Sequence, residues 1–168
     1  MSLQSKLIYL LLLVLLTNSA YSKDIIATQS GGKAVHWTSE SSPHLTINVI
    51  NGVKEGYWSS SGNIFPQVLT FSLPKNKRFE ALSFTAKNIN EQGSWAHHIR
   101  ISSADPFPHM GGWEVIAEIK LPENGEEKII SFEGKRGRYF RLEIFSSQDK
   151  RASNVTFSKL KIFDSYTK

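Results

Sequence analysis

The sequence predicts an all-β protein, an antiparallel sandwich of about eight strands. Short runs of residues alternate between apolar and polar side chains, the period of a strand with one buried face. Turn-forming pairs such as Asn51-Gly52 and Asn124-Gly125 separate these runs. No segment sustains the 3.6-residue period of an amphipathic helix. One-sided alternation also favours antiparallel pairing, because buried parallel strands have continuous apolar runs.

Six alternating runs are the clearest predicted strands. In chain order they cover residues 68–73, 82–86, 99–102, 115–121, 140–144 and 159–162. Further turns are predicted at residues 61–63, 75–77, 92–93, 111–112 and 136–137. Strands and turns at this spacing are typical of a sandwich or barrel. The sequence has no internal repeat and no linker of biased composition, so we expect one domain.

The first 22 residues have the layout of a secretory signal peptide. Lys6 precedes an apolar run at residues 7–16, and the small-residue pattern Ala20-Tyr21-Ser22 follows. A membrane-spanning helix is the alternative, but it needs about twenty apolar residues. We therefore expect cleavage after Ser22, a domain at residues 23–168, and a secreted or periplasmic protein without a further transmembrane segment.

Cysteine is absent and positive charge is concentrated near the C-terminus. Small exported domains often depend on disulfides, so this one must be held by packing alone. Residues 23–127 carry 9 basic and 11 acidic side chains, whereas residues 128–168 carry 10 and 4. The basic cluster includes Lys135, Arg136, Arg138, Lys150 and Arg151. These residues are either solvated strand faces that protect sheet edges or a surface that attracts anions.

Four segments in order resemble a known family. They are NVINGVKEGYWSSSG (48–62), FPQVLTFSLP (65–74), HHIRISSAD with GGWEVIAEI (97–105 and 111–119), and GRYFRLEIFSS followed by NVTFSKLKIFD (137–147 and 154–164). Together they resemble the discoidin domain, also called the coagulation factor V/VIII type C domain. This family belongs to the galactose-binding-like jelly rolls and includes family 32 carbohydrate-binding modules. The resemblance implies a sandwich of five plus three strands, with a ligand held by loops at one end.

The resemblance also shows where this sequence departs from the family. Galactose-binding members carry His after the buried Trp and an Arg before the long loop, where this chain has Ser59 and Lys87. Since Lys lacks the planar fork of Arg, simple galactose specificity is not expected. Many members bind calcium at the turn aligned with residues 51–56. Asn51 and Lys159 replace the expected carboxylates, so we predict no tightly held calcium, no other metal and no cofactor.

The aromatic residues give the first candidates for ligand contact. Trp58 and Trp113 align with core positions of the family, while Trp37 near the first strand is ambiguous. Trp95 lies in a polar stretch with no obvious core to fill, and exposed aromatic rings on loops are common contact residues. The full set of candidate ligand-binding residues is Trp95, His97, Lys87, Asn88, Asn90, Phe107, His109 and Ser59. Phe107 and His109 are on a Pro- and Gly-rich loop that either binds ligand or folds back onto the sandwich.

The sequence predicts a binding module and no enzyme. It contains no nucleophile elbow, no His-Glu-x-x-His motif, no phosphate-binding glycine loop and no thiol. We expect an exported, non-catalytic module that binds a glycan through loops at one end. The alternative is an adhesion or interaction module for an anionic surface or a protein partner, bound through the C-terminal basic cluster. Nucleic acid is not expected as the partner.

Overall fold

The computed structural model describes residues 23–107 and 112–165. Eight strands are present: β1 (Lys33–Trp37), β2 (Trp58–Ser59), β3 (Gln67–Thr85), β4 (Ala96–Ala104), β5 (Glu114–Lys120), β6 (Lys128–Ser147), β7 (Thr156–Phe157) and β8 (Lys159–Phe163). Three 3₁₀ helices cover Thr28–Ser30, Thr46–Val49 and Gln92–Ser94. None of the helices within these described ranges is long and apolar enough to cross a membrane. The predicted signal peptide lies outside the described residues.

All strand pairs in this part of the chain are antiparallel and form a jelly-roll sandwich. One face has the strand order β1-β3-β6-β4-β5, and β8 pairs with the second half of β3. Strands β3 and β6 are 19 and 20 residues long, so they run through both faces. Strands β2 and β7 form a separate pair. The predicted fold class is confirmed.

The two long strands correct two predicted turns. Residues 75–77 and 136–137 were expected to be turns, but both lie within continuous strands at a corner. The register shifts there, between Ser72 and Lys77 of β3. Turn-forming residues suit such a corner because a bulge bends the strand and leaves residues unpaired. Asn76 fixes the corner, since Arg136 Nε donates to its Oδ1 at 3.0 Å.

The core lies between the two faces and is rich in aromatic rings. Phe71, Phe79, Phe84 and Phe140 are fully buried, and Phe79 packs edge-on against Phe140 with ring centroids 5.0 Å apart. Trp58 is also fully buried, and its indole N–H donates to Ser39 O at 2.9 Å. Each such side chain contributes about 1.5–3 kcal/mol on burial. The core therefore supplies the stability that the chain cannot draw from disulfides.

Candidate functional site

A polar pocket of about 420 Å³ lies at one end of the sandwich. Two loops form it: residues 90–94, which precede β4, and residues 149–154, which link β6 to β7. The two segments are held to each other, because Gln148 N donates to Trp95 O and Asp149 N donates to Gly93 O, each at 2.8 Å. We call this cavity the apical pocket. A rigid sheet thus presents two loops whose side chains face a shared space.

Donors and acceptors of hydrogen bonds line the apical pocket. Its side chains with polar atoms are Asn90, Glu91, Ser94, Asp149, Arg151, Ser153 and Asn154. Arg151 Nη2 lies 3.0 Å from Asp149 Oδ2. The Arg151 guanidinium lowers the pKa of the Asp149 carboxyl, and that carboxylate raises the pKa of Arg151. Both groups therefore stay ionised at neutral pH, and both are accessible to a ligand, since the side chains of Arg151 and Asp149 are 90% and 40% exposed.

Two predicted site residues support the pocket from beneath and do not face it. Ser59 is 4% exposed, and its Oγ accepts a hydrogen bond from Asn154 Nδ2 at 2.8 Å. Asn88 Nδ2 donates to Thr156 Oγ1 at 2.9 Å, and Asn88 Oδ1 accepts from Asn90 N at 2.8 Å. These contacts orient Asn90 and Asn154. Of the predicted glycan-contact residues that the structure describes, Asn90 lines the pocket itself.

Trp95 is buried, and the expectation that it has no core to fill is wrong. It is 7% exposed and belongs to the main hydrophobic cluster. Its indole N–H donates to Asn90 O at 3.2 Å. Gly125 of a separate loop covers the ring so closely that an added Cβ would lie 2.6 Å from Trp95 Cζ3 and from Lys87 Cβ. The ring therefore holds the pocket loop in place.

The two remaining candidates beside Trp95 lie outside the pocket lining. Lys87 is exposed and lies against Gly125. His97 is half-buried, and its carbonyl accepts a hydrogen bond from Leu121 N at 2.7 Å. That contact anchors the loop that covers Trp95. Neither side chain lines the apical pocket.

Phe107 lies at the opposite end of the sheet from Trp95, so these two candidate residues do not belong to one site. Trp95 precedes β4 and Phe107 follows it, and nine residues of strand span about 30 Å. Phe107 packs edge-on against Trp113 and Tyr139, with centroids 5.9 Å and 5.1 Å apart. It has thus folded back onto the sandwich, one of the two outcomes expected for its loop. His109 lies outside the described residues.

Trp113 corrects a further expectation, because it does not lie in the core. It is half-buried on the outer face of the sheet, where the Arg141 guanidinium lies 4.8 Å from its ring centroid. The strand register explains this placement. Leu142 points into the core, so its neighbour Arg141 points outward and covers the ring.

The predicted basic cluster divides into two groups. Lys150 and Arg151 are in the loop that forms one wall of the apical pocket; Arg151 lines the pocket and is paired with Asp149. Lys135, Arg136 and Arg138 lie at the far corner of β6, where Lys135 pairs with Glu114. The two groups are separated by the second half of β6, so they do not form one surface.

The turn that aligns with the family's calcium site is contacted by an ammonium group. Lys159 Nζ donates to Asn48 O at 3.3 Å and also donates to Val53 O. Burial lowers the pKa of Lys159, and nearby Lys161 lowers it further. No cluster of three or more His, Cys, Asp or Glu side chains in the described ranges could hold a metal ion. The carbonyl oxygens of this turn thus have a lysine as their cation.

The family model of the F5/8 type C domain matches residues 27–157. This span contains β1 to β7 and both loops of the apical pocket. The chain belongs to the F5/8 type C domain family. The resemblance noted from the sequence is therefore confirmed. No curated protein matches the sequence.

Solved structures with the same fold include several carbohydrate-binding modules. A family 32 module of Clostridium perfringens NanJ, in complex with galactose, has a TM-score of 0.68 and 18% identity, covering 80% of this chain and 95% of that one. Chitosan-binding module 1 of a Paenibacillus sp. IK-5 chitosanase/glucanase has a TM-score of 0.69 and 11% identity, covering 84% of this chain and 98% of that one. The family 32 module of Streptococcus pneumoniae EndoD has a TM-score of 0.67 and 13% identity, covering 85% of this chain and 100% of that one. At these identities the likeness shows the fold alone.

Most of the pocket in this F5/8 type C domain consists of residues outside the predicted glycan-contact set. Asp149, Ser153 and Asn154 were not candidates, and Arg151 was assigned to a basic surface. One signal was present: residues 146–154 are a polar stretch between two predicted strands. Polar loops elsewhere have the same composition. Only the fold brings this loop against residues 90–94.

Proposed function

We propose that this domain is an exported, non-catalytic module that binds glycans in the apical pocket. The observation that carries the proposal is the pocket itself, whose walls combine amide, hydroxyl, carboxylate and guanidinium groups. A sugar presents hydroxyl groups that donate and accept, so it needs both kinds of partner in fixed directions. The pocket volume of about 420 Å³ falls within the range of small-molecule sites.

The neighbouring structures support the same ligand class. Modules of this fold have been solved with galactose and with GalNAc-β-1,3-galactose, and another is named as chitosan-binding. This chain has Ser59 buried and Lys87 outside the pocket. We therefore expect a sugar other than simple galactose as the preferred ligand. The Asp149–Arg151 pair would contact its hydroxyl groups or a charged substituent.

The test is binding to a glycan array, followed by titration calorimetry with the best ligand. Asn90→Ala and Arg151→Ala should each weaken binding by about tenfold to a hundredfold, since a lost hydrogen bond to a charged or buried partner costs about 1.5–3 kcal/mol. Arg136→Ala is the matched control, because it removes the same charge at the far corner. An array without any hit, or equal losses in all three variants, would refute the proposal.

An anionic partner is the second candidate, and the far corner of β3 and β6 favours it. Lys77 and Arg78 of β3 lie opposite Gly137 and Arg136 of β6, and Lys75 is exposed beside them. Four basic residues thus lie at one bend, and one of them, Arg78, is paired with Glu80 at 2.9 Å. Binding there should weaken steeply as salt rises, whereas neutral glycan binding should not. A salt titration with heparin or anionic vesicles separates the two functions, and Arg136→Ala should then be the damaging variant.

A further inference from the structure

A second cleft lies beside the first strand and shares no lining residue with the apical pocket. It has a volume of about 340 Å³ and is bounded by β1 and by the start of the helix Thr46–Val49. Its lining residues are Lys33, Ala34, Trp37, Glu40, Leu45, Thr46 and Ile47. We call it the Trp37 cleft. Its walls are mainly apolar, unlike those of the apical pocket.

Trp37 is the most accessible indole in the described part of the chain. It is 41% exposed, against 0% for Trp58 and 7% for Trp95, and Trp113 is covered by Arg141. Leu45 beside it is also exposed, at 37%. The Trp37 indole N–H has no hydrogen-bond acceptor among residues 23–107 and 112–165. An accessible ring in a cleft, with a free donor at its edge, is a contact surface and not a core element.

Two charged groups of opposite sign border this ring. Glu40 Oε2 accepts the N–H of Thr46 at 2.8 Å, which fixes the carboxylate at the cleft. The second oxygen of Glu40 and the ammonium of Lys33 have no ion-pair partner within the described ranges. A ligand with a single strong charge would be attracted by one of the two groups and repelled by the other, so it gains little net attraction. A neutral ligand whose hydroxyl groups both donate and accept is complementary to both.

The strand beside the cleft is poorly suited to pairing with a peptide. Strand β1 is at the edge of the sheet, but it has only five residues and its register with β3 shifts between Ala34 and His36. A bulge of this kind twists an edge and interrupts its row of hydrogen-bonding groups. An added β-strand would therefore find few partners here. The cleft is more suited to a compact ring than to an extended chain.

We infer that the Trp37 cleft is a second carbohydrate site, in which a neutral hexopyranose ring of a glycan chain stacks on Trp37 while Glu40 and Lys33 hydrogen-bond its hydroxyl groups. The inference takes its ligand class from the proposed function but does not depend on the apical pocket. Two sites on one domain would bind a polysaccharide more tightly than a single oligosaccharide, through effective concentration.

The experiment follows the indole N–H resonances of the four tryptophans in ¹⁵N-labelled protein by NMR. The probes are lactose, cellotetraose, mannotriose and chitotetraose, each added to millimolar excess. Trp37→Phe identifies the resonance of Trp37, and we expect at least one probe to shift it in a saturable manner. Trp37→Ala should weaken retention on the matching immobilised polysaccharide by about tenfold, or about 1.4 kcal/mol. Trp37→Phe should keep most of the binding, because a phenyl ring still stacks.

Trp113→Ala is the matched control, since it removes a half-exposed indole on a different face and should leave binding unchanged. Glu40→Gln should weaken binding less than Trp37→Ala, because the amide can still accept from Thr46. The idea is overturned if no probe shifts the Trp37 resonance, if an unrelated extended peptide shifts it equally, or if it shifts with protein concentration alone.

The proposals for the two sites can be rejected independently. Loss of all binding in Asn90→Ala, with Trp37→Ala unaffected, would reject the Trp37 cleft and keep the apical pocket. The reverse pattern would reject the apical pocket and keep the cleft. Retention that falls in each variant and vanishes when both are combined is the result expected for two independent sites.

Discussion

Lys159 should stabilise the turn at residues 48–53 in the absence of calcium, and Lys159→Met removes its ammonium while keeping most of its length. The variant leaves Asn48 O without its donor, whereas Val53 O keeps the N–H of Gly56 at 3.1 Å. A hydrogen bond to a charged group contributes about 1.5–3 kcal/mol. Because the ammonium is partly solvated and its burial carries a cost, we expect a net loss of about 2 kcal/mol.

The assay is thermal unfolding followed by circular dichroism. For a domain of this size a loss of about 2 kcal/mol lowers Tm by about 4–8 °C. Lys161→Met is the matched control: it lies two residues away and makes a more exposed pair with Glu127 at 3.0 Å. An exposed pair of that kind is worth about 0–1 kcal/mol, so Tm should change little. Equal melting temperatures for Lys159→Met and wild type would refute this role for Lys159.

Calcium gives the complementary measurement. Wild type should melt at the same temperature with calcium and with chelator, because an ammonium group already contacts Asn48 O and Val53 O. The double variant Asn51→Asp with Lys159→Glu restores two carboxylates and removes that ammonium. It should be destabilised in chelator and recover with calcium. A rise of many degrees for wild type in calcium would contradict the reasoning.

Two further predictions concern burial. Asp24 is partly buried, and burial raises the pKa of its carboxyl although backbone N–H groups, among them those of Ile26 and Ile162, donate to it. Since the folded-state pKa exceeds the unfolded one, the stability that Asp24 contributes should be lost as pH rises through that pKa, so the Tm of wild type should fall relative to that of Asp24→Asn over this range. Thermal unfolding of both proteins from acid to neutral pH tests this prediction. A difference in Tm between them that does not change with pH would argue against it. Gly125→Ala forces a Cβ against Trp95 at a φ of 70° and should cost about 2 kcal/mol or more. Gly62→Ala, with no atom near its added Cβ, should be neutral; similar losses of Tm would contradict the packing account.

The strands were predictable because their signal is local. Alternation at residues 99–102 and 140–144 reports which side chains face the core, and β4 and β6 contain these runs. The corner at residues 75–77 was not predictable, since Asn and Lys after Pro74 are equally common in a turn. Whether a strand stops or bends there depends on whether a neighbouring strand continues beside it. That information comes from β6, some sixty residues later in the chain.

The site depended on contacts that are still less local. Trp95 is surrounded by polar residues in sequence and was expected on the surface, but Gly125 and the core cover it in the fold. Asn154 follows a polar stretch and has no distinguishing signal in the sequence, yet it donates to Ser59, 95 residues away in sequence. Composition shows that a loop is polar. It does not show which second loop lies opposite.

Burial of Trp95 has a consequence for how glycans would be bound. An aromatic ring at the apical pocket would add affinity that tolerates many sugars, because stacking responds weakly to the direction of hydroxyl groups. With Trp95 packed in the core, the apical pocket must work through hydrogen bonds, which reject ligands that leave buried groups unpaired. The Trp37 cleft has the opposite character, with an accessible ring and few polar groups. The Trp37 cleft would then supply affinity for the polymer, and the apical pocket would supply selectivity among sugars. Variants of Asn90 should change which sugar is preferred, while variants of Trp37 should change how tightly every accepted polysaccharide is retained.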